Sequence, residues 1–241
     1  MKWLIALVML VLLLAVSCSR EEQQVVTVDR AKIPVAREPA AVEEPTTTKE
    51  PVDPKVESLL DKSKEVTSYM YLFDASEPTA YTVYIKGNKI KKVYFDTQRL
   101  QSNVFYNTVY LDTEEKTAVA TCEESGVSCE NYYNKAYPTN YDIEYPRLQP
   151  LKMLENVGPD AKVISKERFD NRDLTIIEFT NPLGKSERLS LDNYFGVPVR
   201  QVIYVLQDDQ EVVLDKHTFT RLDVNNIKNA DVTLPEGYAI Q

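Results

Sequence analysis

The chain has 241 residues, 43% of them apolar and 27% charged, with a formal net charge of −9, which is room for one large domain or two small ones. Its one histidine, His217, excludes a histidine cluster or His-rich zinc site, and six scattered glycines leave no Gly-rich loop to cradle a phosphate. The acidic balance argues against nucleic acid, whose binding relies on clustered Lys and Arg. The densest basic run, Lys86 to Lys92, reads as a hairpin centred on Gly87-Asn88 with solvated lysines on an edge.

Met1-Lys2 is a short positive start, Trp3 to Val16 is an unbroken apolar run of 14 residues, and Leu14-Ala15-Val16-Ser17-Cys18 leads into a cysteine. This pattern predicts a secretion signal over 1–17, since the run is too short to span a bilayer of about 30 Å. It resembles a lipoprotein signal peptide, with Cys18 as the lipid-modified (palmitate-type) first residue. Ala15 stands where that pattern most often has leucine. The competing reading is ordinary secretion with cleavage nearby and Cys18 removed or free. An exported chain meets oxidising conditions, so Cys122 and Cys129 are expected to form a disulfide that holds a hairpin or loop tip. The acidic neighbours Glu123, Glu124 and Glu130 speak against a redox role, because they raise a thiol's pKa.

Residues 18–54 comprise the cysteine and a Pro-, Glu- and Thr-rich stretch without aromatic residues, which cannot bury a core and reads as a disordered tether. Its 36 residues from Ser19 on span about 35 Å as a flexible coil and about 110 Å when stretched. All fifteen tyrosines and all seven phenylalanines fall in 55–241, so that segment is read as the folded domain.

In chain order, Val56, Leu59, Leu60 and Val66 among charges predict an amphipathic helix of about three turns. Ser68–Phe73 reads as a strand, and Thr79–Ile85 meets Lys89–Phe95 across Gly87-Asn88. Val104–Leu111 and Thr117–Cys122 form a second hairpin. Asn131–Pro146, with five tyrosines and two prolines, carries no regular pattern. Pro150–Asn156 suits a short helix stopped by Gly158-Pro159. Lys162–Phe169 and Leu174–Thr180 flank a turn at Asp170 to Asp173, and Ser186–Asp192, Val197–Leu206 and Glu211–Leu222 complete a meander, with Asp231–Leu234 as a last edge. Eight or nine antiparallel strands with few helices make the fold class α+β, a curved antiparallel sheet covered by a few short helices.

Three strings carry a family resemblance: Leu191-Asp192-Asn193-Tyr194-Phe195-Gly196-Val197-Pro198-Val199-Arg200, Val109-Tyr110-Leu111-Asp112 before a charged turn, and Val232-Thr233-Leu234-Pro235-Glu236-Gly237-Tyr238. With the order of the elements, they resemble the superfamily of periplasmic lipoprotein carriers and outer-membrane lipoprotein receptors (LolA/LolB-like) over nearly all of 55–241. The resemblance implies an incomplete β-barrel around helices with an apolar cavity. The family's cavity-lid arginine matches no residue here.

The function expected is therefore a membrane-tethered envelope lipoprotein that binds a lipid, acyl chain or other apolar ligand, a lipoprotein's among them, without catalysis or cofactor. Val83, Ile85, Val109, Leu111, Leu189, Leu191, Ile203 and Val205 are the candidate cavity residues, because they alternate with polar neighbours along strands. The same side chains would equally fill a packed core. The alternative is an envelope sensor or interaction module that binds protein or glycan through Tyr132, Tyr133, Tyr137, Tyr141 and Tyr145. Catalysis would have to use His217, expected to face solvent, or Asp208-Asp209 at a hairpin tip. No metal ligands are expected.

Overall fold

The computed structural model describes residues 53–73, 80–123, 129, 132 and 134–241. The signal segment 1–17 and all of the tether before Asp53 lie outside the described residues, as do Tyr133 and most of the loop between the two cysteines. The described residues belong to one compact unit, Thr48–Gln241.

Helix α1 (Pro54–Lys64) is the expected three-turn helix. Asp53 caps it, its carboxylate accepting the Lys55 N–H at 2.8 Å, and Pro54 stands in the first turn, where a missing N–H costs nothing. The helix buries Val56 and Leu59 completely.

Twelve strands follow: β1 (Ser68–Phe73), β2 (Tyr81–Lys86), β3 (Lys89–Gln101), β4 (Val104–Asp112), β5 (Thr117–Thr121), β6 (Lys135–Pro138), β7 (Lys162–Phe169), β8 (Arg172–Thr180), β9 (Ser186–Asp192), β10 (Pro198–Gln207), β11 (Gln210–Val224) and β12 (Ala239–Ile240). They form one curved open sheet in the order β12-β6-β5-β4-β3-β2-β1-β11-β10-β9-β8-β7. Every pairing is antiparallel except β12 on β6. Between β6 and β7 lie α2 (Tyr141–Glu144), α3 (Pro150–Met153) and a 3₁₀ turn (Leu154–Asn156); α4 (Asn229–Val232) follows β11. The tight turns obey their sequence: Asp170-Asn171 and Asp208-Asp209 both take positive φ at two successive residues, the twist that a two-residue hairpin needs.

Three details differ from expectation. The count is twelve strands rather than eight or nine: all ten segments read singly between Ser68 and Leu222 are strands, the tyrosine-rich stretch carries β6 beside α2, and the terminus adds β12. Asp231–Leu234 is not an edge strand: α4 occupies it, its Asp231 carboxylate accepting the Lys228 N–H at 2.7 Å, and Ala239–Ile240 takes the edge instead. The lysines of 86–92 are not merely solvated, since β3 lies inside the sheet. Lys86 donates to the Ile227 carbonyl at 2.7 Å, Lys89 pairs with Asp112, Lys91 pairs with Glu123 at 2.7 Å, and Lys92 is buried.

The concave face holds the core. Across it runs a row of rings from neighbouring strands, Phe219, Phe73, Tyr81, Tyr94 and Tyr106, with successive centroids 5.8, 5.3, 5.9 and 5.9 Å apart. Each ring lies within the range at which aromatic pairs attract beyond their buried area.

The string 191–200 docks α1 onto the sheet. Asp192 accepts the N–H groups of Tyr194 at 3.0 Å and Phe195 at 2.8 Å, and its second oxygen takes Arg172 at 2.9 Å. The turn closes through Gly196 N–H to the Asp192 carbonyl at 2.8 Å. Gly196 has φ +70°, and a Cβ there would sit 2.0 Å from the Leu59 carbonyl oxygen. Only glycine meets both demands.

Candidate functional site

A roof covers one end of the concave face. It consists of α2, α3, the segment between them and the 3₁₀ turn that follows, and its apolar residues Tyr141, Tyr145, Leu148, Leu151, Met153 and Leu154 rest on the core. Asn140 starts it, its side chain accepting the N–H groups of Asp142 and Ile143 at 2.9 and 3.2 Å. Polar ties fasten it to the sheet: the Tyr71 hydroxyl, from the floor of the core, donates to the Leu148 carbonyl at 2.8 Å.

The strongest tie is ionic. Glu144 of α2 is buried, and its carboxylate accepts the hydroxyls of Tyr94 at 2.7 Å and Tyr106 at 2.6 Å. Lys92 of β3, also buried, brings its ammonium 3.7 Å from the same carboxylate and 3.3 Å from the Glu144 carbonyl. That ammonium lies over two rings, 4.6 Å from the centroid of Tyr81 and 4.5 Å from that of Tyr94. Burial lowers the lysine's pKa, and Glu144 pulls it back up. The phenols of Tyr94 and Tyr106 stand well above their ordinary range, through burial first and the neighbouring carboxylate second.

Where the roof meets the β2–β3 turn a pocket of about 480 Å³ opens. Ile85 and Ile90 form its apolar floor, Tyr141 and Tyr145 one wall, and Asp142, Gln149 and Lys152 its polar rim. The two tyrosine rings lean together with centroids 5.3 Å apart. Lys152 donates to the Tyr145 hydroxyl at 2.6 Å and hangs 4.9 Å over that ring. The Tyr141 phenol is raised by burial, then by Tyr145 and Asp142.

The candidate cavity residues separate into three groups. Val83, Val109, Leu111, Leu189 and Leu191 are fully buried in one continuous core cluster. Ile85 belongs to that cluster and also forms the pocket floor. Ile203 and Val205 are half-buried on the second half of β10, outside the cluster. The opposite face of β9 is not open to water: Ser190 and Asp192 are buried, and Arg188 joins Glu178 at 2.7 Å and Glu211 at 2.6 Å.

Cys122 and Cys129 are joined, their Cα atoms 5.4 Å apart, inside disulfide range. Cys18 lies outside the described residues. Of the five candidate tyrosines, Tyr141 and Tyr145 line the pocket, Tyr137 lies on β6, and Tyr132 meets Phe105 edge-on at 6.4 Å. His217 faces solvent only in part. Its side chain is 16% exposed, lies 6.0 Å from the Phe73 ring and meets the Asp215 carboxylate at 2.8 Å. Asp208-Asp209 forms the expected exposed hairpin tip. Among the described residues no group of three or more His, Cys, Asp or Glu could hold a metal ion, and no helix is long and apolar enough to cross a membrane.

Sequence reasoning did not find Glu144, Lys92, Asp142 or Lys152. Their spacing carries no motif, since roof and strands meet only in the fold.

No family model matches the chain and no curated protein matches it. Solved structures do. MucB is 10% identical with a TM-score of 0.45, covering 78% of this chain and 66% of its own. An uncharacterized conserved protein from Thermus thermophilus is 12% identical with a TM-score of 0.41 over 77% of this chain and 97% of its own. A LolA superfamily protein from Nitrosomonas europaea is 10% identical with a TM-score of 0.28 over 74% and 97%. The chain thus spans just under two thirds of the length of MucB. The structural neighbours thus include both MucB and a protein of the LolA superfamily.

Proposed function

We propose that this chain is an exported binding protein, tethered to a membrane through lipid on Cys18, that holds a lipid, acyl chain or other apolar ligand beneath the roof. The observation that carries the reading is the floor of the pocket. Ile85 and Ile90 belong to the core cluster, yet they line an opening of about 480 Å³, within the size range of small-molecule sites.

The test is native mass spectrometry and lipid extraction of the purified protein, joined to titration with a hydrophobic dye. Saturable binding in the parent, lost in Ile85→Arg, supports the reading; no copurifying lipid and no saturable binding overturns it. Ile85, 8% exposed, is a better position than the wholly enclosed Leu191, and the loss counts only where circular dichroism and Tm show Ile85→Arg folded like the parent.

One observation favours a second reading, the interaction module. The far end of the β10–β11 hairpin carries Leu206, Val213 and Leu214 66, 54 and 47% exposed. Apolar groups gathered on one projecting arm suit a protein partner.

A further inference from the structure

We propose that the ligand of the roof pocket is an acyl amphiphile with a zwitterionic head, its anionic group set at Lys152 and its cationic group at Asp142; this rests on reading that pocket as an apolar-ligand site. Nine residues line it, and only two of them are charged, Asp142 and Lys152. Both side chains are exposed. Neither forms a salt bridge with another described residue: Lys152 reaches the neutral Tyr145 hydroxyl, and Asp142 contributes only its backbone N–H, to the Asn140 side chain. Several carboxylates and cations of the sheet are joined, as in Lys91–Glu123, Arg172–Asp192 and Arg200–Glu167. The rim of this pocket is therefore a place where one positive and one negative group stand ready for a ligand's opposite charges.

The placement of the two charges follows from the tyrosine pair between them. Asp142 acts on the Tyr141 phenol, while Lys152 holds the Tyr145 hydroxyl, and the rings of Tyr141 and Tyr145 lean together. The charges thus flank one aromatic wall above an apolar floor of Ile85 and Ile90. A purely anionic head would satisfy Lys152 but stand beside Asp142; a purely cationic head would meet the reverse. A phosphate or carboxylate joined by a short linker to an ammonium matches both, and the aromatic wall suits the cationic end. The acyl chain would continue over the isoleucine floor.

Three probes with one common acyl chain separate the possibilities: lysophosphatidylethanolamine, lysophosphatidic acid and a neutral monoacylglycerol, each displacing a hydrophobic dye from the full mature chain. The zwitterionic probe is expected to bind tightest. Lys152→Met should weaken both phosphate-bearing probes about three- to fivefold, the size of an exposed ion pair, and leave the neutral one unchanged. Asp142→Asn should weaken only the zwitterionic probe and tighten lysophosphatidic acid. Both positions are exposed, so neither variant threatens the fold. Equal binding of all three probes, or indifference to both substitutions, overturns the assignment of the head while leaving the apolar site standing. Failure of all three probes and of the dye overturns the site itself.

Discussion

Glu144 is where a single-atom-scale change should be felt most. In Glu144→Gln the side chain keeps its shape but only one oxygen, so one of the Tyr94 and Tyr106 hydroxyls, which bond different carboxylate oxygens, must turn to accept from the amide NH2, and the buried Lys92 ammonium loses its counter-charge. Breaking one partner of a buried pair leaves an uncompensated charge and costs about 3–5 kcal/mol, whereas replacing both partners with apolar groups is often neutral. The two rings that Lys92 covers are there in parent and variant alike and cancel in the difference, so a loss of about 3–5 kcal/mol is expected. Lys92→Met/Glu144→Gln should recover most of it. The pH dependence has a definite sign. The folded-state pKa of Lys92 is lowered, and without Glu144 it falls further, so above neutrality the unfolded chain binds more protons there than the folded one. Stability of Glu144→Gln relative to the parent should therefore rise from pH 7 to about 9.5, approaching the unfolded lysine value near 10.4. The buried tyrosines, with raised pKa values, act oppositely only above about pH 10. Urea denaturation of parent, single and double variants across that range measures this. A loss under 0.5 kcal/mol, or a loss that grows with pH, would refute the reasoning.

Cys18→Ala should move the protein from membranes to the soluble fraction on cell fractionation, and unchanged retention would point to an uncleaved signal. Gly196→Ala should cost at least about 2 kcal/mol in denaturant titration, because φ +70° is strained for alanine and its Cβ meets the Leu59 carbonyl; Gly184→Ala, with φ +72° and open space around it, should cost less. Opening the Cys122–Cys129 loop by paired serine substitution should cost about 2.5 kcal/mol by loop entropy, read as a lowered Tm.

The strands are legible because period-two alternation and turn residues speak locally. Gly87-Asn88, Asp170-Asn171 and Asp208-Asp209 mark three hairpins, and all three are present. What is not legible comes from contacts between distant parts. Alternation sends Lys92 inward together with Ile90 and Tyr94, but nothing near Lys92 in the chain tells that Glu144 waits 52 residues away. The tyrosine-rich stretch looks featureless because its helix is four residues long, too short for a helical period to register. The Gly-Val-Pro string at 196–198 reads as a turn, and it is one; its closer reason, the approach of α1, depends on Leu59 and is invisible locally. The candidate cavity residues show the same limit, since Val83 in the core and Ile85 on a pocket floor alternate identically.

The roof and the sheet beneath it differ in how they are held, and that difference can be measured. The strands beneath form continuous ladders around fully buried side chains such as Val83, Val109, Ile177 and Leu189. The roof has two four-residue helices and a 3₁₀ turn, and several of its apolar residues are only partly buried. Much of its hold is polar, through Glu144 and the Leu148 carbonyl. Free energies of local opening follow the buried apolar contacts that must be broken, so the roof should open well below the cost of global unfolding. In hydrogen exchange, the Glu144 and Tyr145 amides, bonded to Asn140 and Tyr141, should exchange long before those of β2, β8 and β9. Glu144→Gln should speed them further while leaving the β8–β9 amides slow relative to global stability. A bound amphiphile should slow the roof amides, because ligand that contacts Tyr141 and Tyr145 must be released before they open. Roof amides as protected as the central strands would mean that roof and sheet unfold as one unit, and the pocket would then be a fixed surface cleft.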